Sequence, residues 1–133
     1  MSLLRLIAAG YALVLSVVGA LNFIPGVVDE QGLCFGIFAL DPFDDALHFG
    51  SAAWAGIAAL VSARASRLFL TVFGALYLGD GLMGLAVGSG YLDLGIVRNG
   101  PLLLPFGFKI LANLPHIGLG GLALGSGLIL ERR

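Results

Sequence analysis

Residues 3–24, LLRLIAAGYALVLSVVGALNFI, carry a single charge, Arg5, over the length of chain that a helix needs to cross a bilayer. That length is about 20 mostly apolar residues. Three further apolar stretches follow: after the acidic cluster Asp41, Asp44 and Asp45 to about Ser62, from about Leu68 to Val87, and from about Leu114 to Leu130. The chain has 133 residues, 59% of them hydrophobic and 11% charged, where an ordinary soluble domain carries about 25% charged residues. Four spans leave room for little else. The expected fold is therefore an all-α membrane protein, one four-helix transmembrane domain over residues 1–133 and no soluble domain.

A signal peptide is the rival reading of the first span, since Arg5 precedes an apolar run and VVGA offers small residues for cleavage. The apolar run is long for such a core, and a similar segment, RLFLTVFGALYLGDGLMGLAVG, returns at residues 67–88. We read both as real helices. Pro25-Gly26 closes the first. Spans two and four each follow an apolar lead-in, GLCFGIFAL and GPLLLPFGFKIL. These are expected as interfacial loops over the helix ends, because irregular backbone at depth must be covered by protein.

The two halves resemble each other. Residues 1–63 give helix, apolar loop, then Asp45-x-x-His48-x-Gly50 and a helix; residues 66–133 repeat the order with Asn113-x-x-His116-x-Gly118. Each half holds two spans, so the expected repeats are parallel helix hairpins related by an axis along the membrane normal. That relation puts His48 and His116 at one depth. Arg5, Arg64, Arg67, Arg132 and Arg133 fall at one end of the expected bundle. The other end has Arg98 and Lys109 with Asp29, Glu30, Asp41, Asp44, Asp45 and Asp93. Basic loops stay inside, so both termini should face the cytoplasm and the His elements the outside.

Small residues recur at fourth positions: Ala8, Ala12, Ser16 and Ala20; Ser51, Ala55, Ala59 and Ala63; Gly84 and Gly88; Gly121 and Gly125. In lipid such faces let helices approach closely, and we expect them to touch within the bundle.

The stretches NFIPG, GIFALDPFDDALHFGSAAW and LPFGFKILANLPHIGLGGLALG resemble bacterial four-helix membrane proteins catalogued only as a domain of unknown function. The resemblance runs from about Leu3 to Leu130. It implies two tandem halves, each with an Asn-x-x-His-like element opening its even-numbered helix, and it implies no activity. Asp45 stands where that family more often has Asn.

Two readings of the His elements stay open. In the first, Asp45 and Asn113 cap the N-termini of their helices, their side-chain oxygens accepting a backbone N–H, with the His three residues on as the return partner. Asp41, before Pro42, is a second possible cap. In the second reading, His48 and His116 share one site, for a metal ion or a haem between the helices. Asp44 then orients the His48 ring from one turn away. Two His and one Cys, Cys34, make a thin ligand set, so no cofactor is expected. The single cysteine also forbids an intrachain disulfide.

Asp80 lies inside span three, roughly 10 Å from its outer end at 1.5 Å per residue. A carboxylate there is costly and marks a functional site by default. It serves either as a tie to Asn22, Tyr77 or a Ser, or in a proton, ion or substrate step. No nucleophile elbow or phosphate loop is present, and Trp54, Tyr91, Phe106 and Phe108 read as packing or interface residues. The expected function is non-enzymatic: an accessory or structural subunit of a larger membrane complex, or a self-associating homo-oligomer, with the lipid bilayer as partner. The alternative is a ligand-, metal-, haem- or proton-handling protein using His48, His116 and Asp80. Nothing forms a basic stripe for nucleic acid.

Overall fold

The computed structural model describes residues 2–30, 33–35, 38–39, 42–92, 96–97, 100–101 and 105–130. These include four long helices: α1 (Leu3–Leu21), α2 (Pro42–Val61), α3 (Ala63–Val87) and α4 (Phe106–Ile129). A short antiparallel hairpin, β1 (Leu33–Cys34) and β2 (Phe38–Ala39), lies between α1 and α2 with Cys34 opposite Phe38. Two helices, α1 and α3, are long and apolar enough to cross a membrane. The other two expected spans are as long but do not reach the same apolarity. The reason lies in their N-terminal halves. Asp44, Asp45 and His48 dilute α2, and Lys109, Asn113, Pro115 and His116 dilute α4.

The helices pack chiefly as two hairpins, α1 on α2 and α3 on α4, with lighter contacts of α2 and α1 on α3. Ser62 alone joins α2 to α3. Its hydroxyl accepts the Ala65 N–H at 3.0 Å, capping α3, while Ser66 Oγ donates to both Ser62 O and Ala58 O. Side-chain caps of this kind satisfy N–H groups that the helix start leaves open.

Each hairpin is tied at the same end by an arginine. Arg5 donates to Ala59 O at 2.6 Å and to Leu60 O at 3.0 Å, at the end of α2. Arg67 donates to Leu130 O at 2.8 Å and Leu128 O at 3.2 Å, at the end of α4. The last carbonyls of a helix carry the negative end of its dipole, so a guanidinium there gains both hydrogen bonds and charge.

The small residues at the contacts are partly others than expected. Ala8, Gly19, Ala52, Ala55, Ala58 and Ala59 are buried between the helices, while Ser16 is exposed and donates to Ala12 O. In α3 and α4 the close approach runs through Gly74 and Gly120, where an added Cβ would overlap the facing backbone at Leu124 and Leu78. Gly121 and Gly125, expected to touch, face open space. The physical reason is phase: Gly120, Ala123 and Gly127 are the buried residues of α4, and positions 121 and 125 lie off that stripe. Gly88 ends α3 in the left-handed conformation, φ 86°, where a glycine pays no Cβ penalty.

An aromatic column fills the interior. Phe69, Phe73 and Tyr77 stand one turn apart on α3, with ring centroids 4.9 Å and then 4.0 Å apart. Trp54 meets Phe69 edge-on at 4.9 Å, Tyr11 meets Phe73 at 5.5 Å, and Tyr11 also donates to Leu119 O, linking α1 to α4. The outer faces are apolar: Leu13, Val17, Ile57, Leu60, Leu68, Leu122 and Ile129 are all exposed.

Candidate functional site

The aromatic column ends on a histidine. The Tyr77 ring stands 5.2 Å from that of His116, inclined at 62°. His116 Nδ1 lies 2.6 Å from Asp80 Oδ2. A carboxylate only accepts, so the ring proton of this contact sits on Nδ1. The other carboxylate oxygen, Asp80 Oδ1, accepts from the backbone N–H of Tyr91 at 2.8 Å and of Leu92 at 2.9 Å.

Those two donors come from the loop after α3, which folds back along the helix it has just left. Gly90 lies so near the carboxylate that a Cβ there would overlap Asp80. Tyr91 Oη donates to Leu76 O at 2.6 Å across the face of Gly79, and Ser89 Oγ donates to Gly100 O at 2.9 Å, holding the loop down. Burial, with the Asp80 charge adding to it, pushes the Tyr91 phenol above its ordinary range. Asp80 is 4% exposed, and its partners are His116 and this loop rather than the expected Asn22, Tyr77 or a serine. The GSGY sequence at 88–91 was the available signal, since two glycines after a buried carboxylate permit the backbone to approach it.

His48 is buried on α2, and Asp44, one turn earlier, is buried too. His48 and His116 line one cavity of about 130 Å³, with Tyr77, Cys34 and an apolar wall of Leu15, Val18, Leu21, Phe35, Phe38, Ala112, Pro115 and Leu119. The β1–β2 hairpin thus covers the cavity, as expected of an apolar lead-in over the helix ends, though as paired strands. Cys34 is fully buried, and burial raises its thiol. Phe35 adopts a left-handed backbone, φ 54°, which is uncommon for a bulky residue.

The capping roles are corrected. Helix α2 begins at Pro42, and Asp45 sits inside its first turn, where Oδ2 accepts from Asn22 Nδ2 at 3.0 Å. Asp45 Oδ1 is buried without a hydrogen bond among the described residues. Helix α4 begins at Phe106 after Pro105, with no side-chain cap, two turns before the expected start. Asn113 is therefore interior, its Nδ2 donating to Lys109 O at 2.8 Å while its Oδ1 faces Gly84. The helix runs on through Pro115, forgoing the hydrogen bond that Leu111 O would accept. Asp41 lies outside the described residues.

Among the described residues no three His, Cys, Asp or Glu side chains stand close enough together to hold a metal ion. A cavity of about 130 Å³ also falls short of a haem, since sites for drug-sized ligands start at about 300 Å³. What the arrangement offers is a ring-sized apolar space with two imidazoles in its wall, one held by a carboxylate. Known protein families, curated proteins and solved structures give no match to this chain.

Proposed function

We propose that the chain is a non-enzymatic four-helix integral membrane protein that holds a small apolar ligand at the outer end of its bundle. One observation carries this: His48 and His116, from different helix pairs, line the same cavity, and Asp80 fixes the ring of His116. Burying a carboxylate within a span is costly and marks a functional site by default. The exposed apolar side chains suit a lipid surround.

The equivalent arginine ties and the paired His elements support a tandem duplication, its halves at about 1–63 and 66–133. Arg5, Arg64 and Arg67 at one end support a cytoplasmic position for both termini in a bacterial inner membrane.

Native mass spectrometry of the protein released from its own membranes tests the reading. A small adduct on the wild type should be absent from Ala112→Phe, which fills the cavity from α4. A wild type without adduct, or an adduct retained in the filled variant, defeats it and returns the function to an accessory or self-associating subunit.

A further inference from the structure

The ligand's chemistry can be narrowed from the cavity itself, and this step rests on the reading above. We infer that the cavity takes a single aromatic ring bearing a hydroxyl that donates to His116 Nε2.

Size comes first. A dry cavity of about 150 Å³ lined by Leu, Ile and Phe binds benzene, and this cavity is about 130 Å³. One six-membered ring fits, and a second does not. Shape and wall chemistry come next. Leu15, Val18, Leu119 and Pro115 offer flat apolar contact, and Phe35, Phe38 and Tyr77 offer ring edges and faces, the surroundings an aromatic guest prefers.

The polar end then selects the substituent. Asp80 Oδ2 takes the proton on His116 Nδ1. In the neutral ring the remaining lone pair sits on Nε2, which is then the ring's one acceptor. The Asp80 carboxylate cannot turn away, because Tyr91 N and Leu92 N hold its other oxygen. An apolar molecule entering here therefore gains from a donor and loses from an acceptor, since two facing lone pairs in an apolar site are left unsatisfied. Asp80 is a positioning residue in this scheme, acting through the tautomer of His116.

The test uses the full chain in lipid nanodiscs, with ¹⁵N-labelled histidine and three probes of one size class. Phenol donates, anisole only accepts, and toluene does neither. Affinities are corrected for partition into empty discs. Phenol should bind about tenfold more tightly than the other two, the ratio a single well-placed hydrogen bond gives. The ¹⁵N shifts should place the His116 proton on Nδ1. In Asp80→Asn, the amide oxygen can keep the Tyr91 and Leu92 donors while the amide nitrogen donates to Nδ1. The ring proton then moves to Nε2, from which the phenol and anisole oxygens can both accept, so the preference for phenol over anisole should disappear with toluene binding unchanged.

Equal affinity for all three probes in the wild type leaves the cavity reading standing and overturns the donor assignment, as does a preference for anisole. A preference for phenol over anisole persisting in Asp80→Asn overturns it as well. Failure of all three probes to bind defeats the cavity reading and the inference together. Should Asp80→Asn not fold, the wild-type probe ratio and the wild-type tautomer still decide.

Discussion

The two helix hairpins agree at one end and differ at the other. At the arginine end they agree: Arg5 holds the carbonyls closing α2, and Arg67 those closing α4. Aligning the arginines sets Tyr11 on Phe73, Leu15 on Tyr77, Val18 on Asp80 and Asn22 on Gly84. Aligning the histidines sets Asp45 on Asn113 and Phe49 on Ile117. The contacts follow this alignment: Gly19 approaches the Phe49 ring as Gly81 approaches Ile117, and Asn22 meets Asp45 as Gly84 meets Asn113.

The divergence is at the end opposite the arginines. The first hairpin has Val18 where the second has Asp80, so only His116 has a carboxylate donated from its partner helix. The first hairpin instead places its polar pair, Asn22 and Asp45, at the bundle's edge. The two cross-hairpin seams differ in the same way. The seam of α2 with α3 holds a cavity of about 280 Å³ lined by Leu47, Ser51, Trp54, Phe73 and Tyr77, without a histidine. The α1 side, covered by the β1–β2 hairpin, gathers both histidines.

The largest break in this comparison comes from making the second hairpin like the first. Asp80→Val removes the acceptor of three donors, Tyr91 N, Leu92 N and the His116 ring. Each buried donor left without a partner costs about 1–3 kcal/mol, so a loss of about 4 kcal/mol is expected in unfolding from detergent. An undiminished unfolding temperature would mean that the loop does not depend on the carboxylate.

Next in size is the helix seam. Gly74→Ala puts a Cβ into the α4 backbone at Gly120 and Leu124, and overpacking of that kind costs about 3 kcal/mol. In the first hairpin, Gly56→Ala meets only Ala12 Cβ at 3.8 Å. That is ordinary contact, so it should be neutral or slightly stabilising through helix propensity. Equal effects in the two variants would erase the difference in helix separation.

At the shared end the hairpins should respond alike. Arg5→Met and Arg67→Met each remove two hydrogen bonds from a guanidinium to terminal carbonyls. Part of that gain is returned by water at an exposed helix end, so each should cost about 1.5 kcal/mol. A large inequality between them would argue against equivalent roles.

The helices were legible because apolar runs and glycine or proline stops report span length directly. Their starts were less so. Asn113 before Pro115 reads as a cap, yet FGFKIL ahead of it contains no proline and only one glycine, Gly107, and the helix extends through all of it and through Pro115. Asp80 was legible as a site because a carboxylate in an apolar run has no cheap explanation. Its partners were signalled only by the glycines of GSGY at 88–91, since the backbone N–H groups of Tyr91 and Leu92 themselves carry no residue-type signal. The Phe69, Phe73 and Tyr77 column was open to view at fourth positions, but in so apolar a chain aromatic spacing does not stand out. Of the cavity only the histidine pair could be read, as one of two alternatives, since the residues lining it come from α1, the β1–β2 hairpin, α2, α3 and α4.

The smallest expected effect tests the polar pair peculiar to the first hairpin. Asp45 is buried, with Oδ2 on Asn22 and Oδ1 accepting no hydrogen bond among the described residues. In Asp45→Asn the side chain becomes what its counterpart Asn113 already is. The amide oxygen can still accept from Asn22, and a buried charge without full compensation is gone, which offsets loss of the stronger charged bond. The residue also lies in the first turn of α2, where a negative charge gains about 0.3–1 kcal/mol from the helix dipole. These opposing effects nearly cancel, and the unfolding free energy should move by less than about 1 kcal/mol. A loss well beyond that would show that the Asp45 charge has a role its counterpart Asn113 lacks, and would place a second specialised position on the hairpin that otherwise serves as scaffold.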